Sequence, residues 1–179
     1  MKLIILDQAG VINQASDTTV KTPEEWIPIP GSLEAIARLT HSGYRVVIAT
    51  NQSGIGRGLL DMSTYNAINQ KMHQAVSQVG GSIDAIFFCP HAKTAQCNCR
   101  KPATGLFSEI MQRYGTNLKN VPAIGDSLRD LQAAATAGAV PVLVLTGKGQ
   151  ETRSQNELPA NTQIYDSLAT AADALVGEL

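Results

Sequence analysis

Hydrophobic and polar positions along this chain follow two periods that alternate. Short apolar runs at Leu3 to Leu6, Arg45 to Thr50, Ile83 to Phe88, Val121 to Gly125 and Val140 to Leu145 predict buried strands, since each is bounded by Gly, Asn, Asp or Pro. Between them the spacing turns helical. After Gly31-Ser32, apolar Leu33, Ile36, Ala37 and Leu39 lie on one face until Ser42-Gly43; further helices are predicted over about 63–79, 105–114 and 128–137. The tail adds a short strand at Gln163 to Tyr165 and a last helix from Ser167 to Val176. Two stretches break the rhythm: a long irregular excursion from Gln14 to Pro30, carrying Pro23, Trp26, Pro28 and Pro30, and a Gly-rich loop from Asn51 to Gly58. No internal repeat or low-complexity segment interrupts the alternation. It predicts an α/β fold, a Rossmann-like parallel sheet with helices on both faces and right-handed crossovers.

A length of 179 residues suits one domain, 1–179, and a hydrophobic fraction of 44% is that of an ordinary globule. The formal net charge of -1 gives no electrostatic reason to expect nucleic acid or an anionic membrane, and the 4% of aromatic residues leaves few stacking platforms. The apolar run at the N-terminus is too short for a signal peptide core, and no run approaches the roughly 18 residues of a membrane span. A cytoplasmic monomer acting on a small molecule is the expectation.

Three predicted strand ends carry polar residues. The first ends at Asp7, the second at Thr50-Asn51-Gln52-Ser53-Gly54, and the fourth at Gly125-Asp126-Ser127-Leu128-Arg129-Asp130. In a parallel sheet these ends face one edge, so Asp7, Thr50 and Asp126 can converge. With Arg100-Lys101-Pro102 ahead of a helix, the set comprises two carboxylates, a hydroxyl and a cation around one anion. That is an inventory for phosphoryl transfer. Each residue also has a plainer use. Asp7 can cap a turn before Gly10, Asp126 can N-cap the helix near Leu128, Lys101 can be a solvated cation, and Arg100 can sit in a surface salt bridge.

Asp7-x-x-Gly10-Val11, Thr50-Asn51-Gln52-Ser53-Gly54, Arg100-Lys101-Pro102 and Gly125-Asp126-Ser127-x-x-Asp130 resemble the four ordered motifs of the haloacid dehalogenase superfamily. The Thr-Asn-Gln-Ser-Gly and Cys-Arg-Lys-Pro forms resemble the branch of D-glycero-D-manno-heptose 1,7-bisphosphate and histidinol phosphatases. The resemblance runs from Leu3 to about Gly147. It implies that Asp7 attacks phosphorus to form an aspartyl phosphate and that Thr50, Asn51 and Lys101 bind the substrate. Asp7, the carbonyl of Ala9 and Asp126 would hold magnesium, and Arg100 would reach a distal phosphate. The branch lacks a large cap domain, and no segment here is long enough to form one. The excursion from Gln14 to Pro30 and the loop from Ile55 to Leu60 would then shape access.

One position departs from the pattern. The superfamily places Asp two residues after the nucleophile, as general acid to the leaving alcohol and then base toward water; this chain has Ala9, and Gln8 where the branch usually has Arg. Alanine has no proton to give, and losing a positioned acid/base typically removes a factor of about 10² to 10⁴ in rate. The expected activity is a magnesium-dependent heptose bisphosphate 7-phosphatase, serving the route to lipopolysaccharide heptose and impaired in this form. The alternatives are histidinol phosphate as substrate, or a catalytically silent phosphate-binding protein on the same fold.

A second signal is Cys89-Pro90-His91 followed by Cys97-Asn98-Cys99, which gathers all three cysteines of the chain and one of its three histidines. Three thiolates and an imidazole make a closed tetrahedral set for zinc, and the tight spacings let a short loop wrap the ion. A disulfide is the weaker reading, because Cys97 and Cys99 are too close to bridge comfortably and a thiol would be left over. The family resemblance implies the same four ligands. With no position left for water the site would be structural, fixing the loop that carries Arg100 and Lys101. His41 and His73 read as surface residues.

Overall fold

The computed structural model describes residues 1–16 and 19–177. Six strands, β1 (Lys2–Leu6), β2 (Tyr44–Asn51), β3 (Ala85–Cys89), β4 (Pro122–Gly125), β5 (Val140–Val144) and β6 (Gln163–Tyr165), form one sheet. Its order is β3-β2-β1-β4-β5-β6 and every pairing is parallel. Seven helices connect or flank them: α1 (Ser32–His41), α2 (Ser53–Gly56), α3 (Met62–Gln78), α4 (Gly105–Tyr114), α5 (Leu128–Thr136), α6 (Gly149–Ser154) and α7 (Leu168–Gly177).

Strand residues divide by parity between two cores, as the period of two requires. Ile4, Leu6, Val46 and Ile48 face one side, where α1, α3 and α7 contribute Ile36, Leu39, Tyr65, Met72 and Leu168. Leu3, Ile5, Val47 and Ala49 face the other, where Leu106, Phe107 and Ile110 of α4 and Ala133 and Ala134 of α5 cover them. Both faces of the sheet are therefore shielded, so its strands read as near-continuous apolar runs.

The order places β1 beside both β2 and β4, and these two are reached in opposite directions. Ligands of open parallel sheets collect at the crevice that this switch opens beyond the strand ends. Asp7 follows β1 and Asp126 follows β4, so the switch point carries both acids.

Three local differences from the sequence expectation have simple causes. The Gly-rich loop contains α2, a single turn, and the polar tail contains α6; both are too short for an apolar period to register. The excursion from Gln14 to Pro30 carries a 3-10 turn at Pro23–Glu25, capped by Thr22, and an antiparallel bridge from Asn13 to Pro28. Asp17 and Thr18 of that predicted excursion lie outside the described residues.

Candidate active site

The strand ends meet in one cavity lined by Asp7, Ala9, Thr50, Lys101, Asp126 and Asp130. Asp7 leaves β1 with its amide N–H bonded to Ile124 O at 2.9 Å, which ties the end of β1 to that of β4. Gly10 then turns the chain back with φ +85, and a Cβ there would collide with the Asp126 carboxylate. Only glycine permits that approach, and it is what brings the two acids together.

Lys101 is 2% exposed and lies inside the carboxylate cluster. Its Nζ is 2.6 Å from Asp130 Oδ1 and 3.3 Å from Asp7 Oδ1, and it donates to Ala49 O at 2.8 Å. A solvated surface cation is thereby excluded. Asn51 reaches across to the same residue: its Oδ1 accepts from Lys101 N at 3.0 Å and its Nδ2 donates to Lys101 O at 3.2 Å. Asn51 lines the cavity, but its amide is engaged in holding the lysine backbone. Asn51 thus fixes the cation whose head group sits beside Asp7.

Asp126 does not cap α5, because the N-cap position is Ser127. Ser127 N and Oγ both donate to Asp130 Oδ2, at 3.2 and 2.8 Å, and Asp130 Oδ1 is left to Lys101. Gly125 is needed as well, since a Cβ there would overlap the Asp130 side chain. Asp126 is gripped by the segment after β5, where Lys148 N donates to its Oδ2 at 2.9 Å and Thr152 Oγ1 to its backbone O at 2.7 Å. Thr146 Oγ1 donates to Gly10 O at 2.6 Å, so the same segment also holds the loop that follows Asp7.

Oxygens of Asp7, Asp126 and Asp130 all lie within 4.8 Å of one another. Burial first, and then the charge of Asp130, push the Asp7 carboxyl up to about 7, although Lys101 opposes the shift. Asp126 is pushed up to about 6, by burial and then by Asp130. Asp130, held by Lys101 and Ser127 against its own burial, stays below the ordinary carboxylate range. Three acids facing one lysine make a site short of positive charge. A hard divalent cation with oxygen ligands fits this donor set.

Ala9 lines the cavity and is half-buried. Ala15, Ser16, Thr19, Val20 and Trp26 of the excursion and Arg57 of the second loop line it too, so both segments border the opening as expected. Lys71 fastens the excursion to α3, donating to Pro23 O at 2.7 Å and Trp26 O at 3.0 Å. Arg100 is not among the residues of this cavity. It lines an adjoining hollow with Lys93 and Arg129, and Arg129 borders both. Its Nη1 is buried with no hydrogen-bond partner.

Cys89, His91, Cys97 and Cys99 converge as the spacing predicted. Cys89 Sγ lies 3.7 Å from Cys97 Sγ and 3.4 Å from His91 Nδ1, and Cys99 Sγ is 3.3 Å from that nitrogen. A tetrahedron with metal–sulfur bonds of about 2.3 Å has sulfur–sulfur edges of about 3.8 Å, so these separations suit a closed metal site. The 2.7 Å between Cys99 and Cys89 is shorter than that edge but too long for a disulfide of about 2.05 Å, and all three thiols are free. The Arg100 backbone N–H, more than any other group, holds the Cys97 thiol down at about 6, whereas burial and the neighbouring Cys89 and Cys97 push Cys99 up to about 12, so the cluster without an ion favours one thiolate and resists a second. The loop leads directly into Arg100 and Lys101. His41, bonded to Gly80 O at 3.0 Å, and His73 are exposed and distant in role.

The expected Asp7, Thr50, Lys101 and Asp126 are gathered, whereas Asp130, Thr146, Lys148 and Thr152 were given no role by the sequence reading. A signal was present: Thr146-Gly147-Lys148-Gly149 follows β5 as a further polar, glycine-rich strand end. No helix among the described residues is long and apolar enough to cross a membrane.

A family model described as HAD-hyrolase-like matches residues 98–171. The D-glycero-beta-D-manno-heptose-1,7-bisphosphate 7-phosphatase of Bordetella bronchiseptica is 57% identical over 178 residues, covering 99% of each chain. That of Neisseria meningitidis serogroup A is 49% identical over 180 residues, covering 99% of this chain and 96% of the relative. Among solved structures, the D,D-heptose 1,7-bisphosphate phosphatase from B. bronchiseptica, complexed with magnesium and phosphate, superposes with a TM-score of 0.99 at 56% identity, covering all of both chains. The corresponding enzyme from Burkholderia thailandensis gives 0.80 at 48% identity, covering 98% of this chain and 99% of the other.

Proposed function

This chain belongs to the D-glycero-D-manno-heptose 1,7-bisphosphate 7-phosphatases of the haloacid dehalogenase superfamily, which are phosphomonoester hydrolases, and on that basis we propose that it binds the 7-phosphate of a heptose bisphosphate and hydrolyses it slowly. The observation that carries this reading is the buried Lys101 beside Asp7, with Asp126 across Gly10. A cation so placed has a use in neutralising a phosphoryl group brought to the carboxylate.

Asp7 attacks phosphorus and the leaving sugar oxygen departs in line, giving an aspartyl phosphate that water then hydrolyses. Lys101 and the Thr50 hydroxyl hold the phosphoryl oxygens. Asp7, Asp126 and the carbonyl of residue 9 are the residues that would hold magnesium, an ion present with phosphate in the similar B. bronchiseptica structure. When bound, the ion keeps Asp7 ionised against its raised pKa and draws charge from the phosphoryl oxygens. Arg100 and Arg129 face the adjoining hollow, where a second phosphate would find two guanidinium groups. The four thiol and imidazole donors hold zinc as a structural ion, stiffening the loop before Lys101.

Ala9 is the reason for slow turnover. The sugar alkoxide leaves without a proton from position 9, and the attacking water finds no carboxylate there to take one. The same residue supports a second reading, a silent phosphate-binding protein, which would use the same Lys101 and Thr50 and differ in releasing no phosphate. The test is a phosphate-release screen with magnesium over heptose bisphosphate, histidinol phosphate and other sugar phosphates, with Asp7→Asn as the control. Slow release from heptose bisphosphate that Asp7→Asn abolishes supports the enzyme; release indifferent to Asp7→Asn rejects the assigned nucleophile.

A further inference from the structure

Gln8 follows the proposed nucleophile, yet the chemistry above does not use its side chain. It is 3% exposed and faces α3, where its Nε2 lies 3.0 Å from Asn69 Oδ1 and 3.6 Å from Met72 Sδ. Its Oε1 accepts from Tyr65 Oη at 3.2 Å and from Gln52 Nε2 at 3.4 Å. A thioether sulfur can only accept, so Met72 fixes which end of the Gln8 amide faces the core. The carbonyl end then faces Tyr65, which fills one lone pair, and Gln52, whose donor fills the other.

Gln52 has one donor group, its NH2, which this contact turns inward. The same Nε2 is 3.3 Å from Thr50 Oγ1. The Thr50 oxygen therefore receives a hydrogen bond, and its own proton must point elsewhere. Its acceptor among the described residues, Asn51 O at 3.4 Å, is at the weak end of the range. Phosphoryl oxygens only accept, so a threonine is useful to them when its proton is free and its lone pair is engaged.

We propose that Gln8 and Gln52 are positioning residues that set the polarity of the Thr50 hydroxyl, so that it presents its proton to the phosphoryl group. The proposal rests on the reading that Thr50 contacts that group. The chain of orientation runs from Met72 in the core, through two amides, to one hydroxyl at the site. An arginine at position 8 could not serve in it, because a guanidinium has donors only.

Calorimetry of inorganic phosphate at saturating magnesium tests this with a double-mutant cycle. Gln52→Leu weakens phosphate by roughly three- to tenfold, the range of one hydrogen bond. Thr50→Val weakens it at least as much, and adding Gln52→Leu to Thr50→Val costs nothing further. Gln8→Leu, a second route to the same end, loses affinity in the native background and none in the Thr50→Val background. Melting curves confirm that each variant is folded. Equal losses from Gln52→Leu with and without Thr50, or no loss at all, overturn the relay while leaving the site reading intact. Unchanged phosphate affinity in Thr50→Val overturns the placement of Thr50 and the relay with it.

Discussion

Replacing Lys101 by methionine removes a cation from among three buried carboxylates while keeping the length of its stem. At an effective dielectric of about 20, contacts of 2.6 Å to Asp130 and 3.3 Å to Asp7 correspond to gross attractions of about 6 and about 5 kcal/mol. Desolvation of all three groups offsets most of that, and breaking a buried pair by deleting one partner costs about 3–5 kcal/mol in practice. The loss depends on pH in a direction the site dictates. Asp7 has a folded pKa of about 7, above its unfolded value near 3.8, so the stability tied to its protonated form is complete below pH 4 and is lost as pH rises through 7. Asp130, held low by Lys101 in the native protein, contributes in the opposite sense: its stability is present above its unfolded pKa and is lost as pH falls through the folded one. Without Lys101 that support vanishes, burial raises Asp130 as well, and both carboxyls resist ionisation. The variant therefore already trails the parent at pH 5, where the Asp130–Lys101 pair is formed, and falls further behind, by about 3 kcal/mol or more, at pH 8, where both carboxyls must ionise. Urea unfolding at both pH values measures it, in magnesium-free buffer without chelator so that the cysteine cluster is undisturbed. A stability gap that is equal at the two pH values refutes the electrostatic account.

Three further outcomes follow from the same geometry. Elemental analysis of the purified protein gives one zinc per chain, and Cys97→Ser releases it and lowers the melting temperature; a metal-free protein or a disulfide among these cysteines contradicts the site. Calorimetry shows that magnesium strengthens phosphate binding and that Asp126→Ala removes the cooperation; phosphate affinity indifferent to both counts against the metal ligands as assigned. Because ionising Asp7 releases a proton that magnesium must displace, magnesium raises the melting temperature more at pH 8 than at pH 5.5. A pH-independent increment rejects Asp7 as a ligand.

Much of this site was legible because its parts obey local rules. Asp7, Thr50 and Asp126 stand at the ends of apolar runs, and parallel pairing alone carries them to one edge. The cysteine cluster was legible because all four donors fall within eleven positions of each other in the chain. What escaped was made by tertiary contact. Thr152 sits on a helix of six residues and grips Asp126 from 26 positions away. Gln8 sits between two residues of obvious interest, but its partners lie more than forty positions on, on α3 and after β2. Asn51 was expected to touch substrate, and its pairing with the Lys101 backbone depends on β2 and the cysteine loop meeting. No pattern of hydrophobic and polar residues encodes which backbone a side-chain amide will find.

The central claim is that this chain keeps a phosphatase site and lacks its proton donor. Phosphate release from heptose 1,7-bisphosphate and from an aryl phosphate, measured for the protein and for Ala9→Asp, tests it most directly. Restoring the carboxylate raises sugar phosphate turnover by roughly 10² or more, and raises reaction of the aryl phosphate, whose leaving group needs little proton assistance, by a smaller factor. If Ala9→Asp changes neither rate while Asp7→Asn abolishes both, position 9 is not where the proton is transferred and the account is wrong.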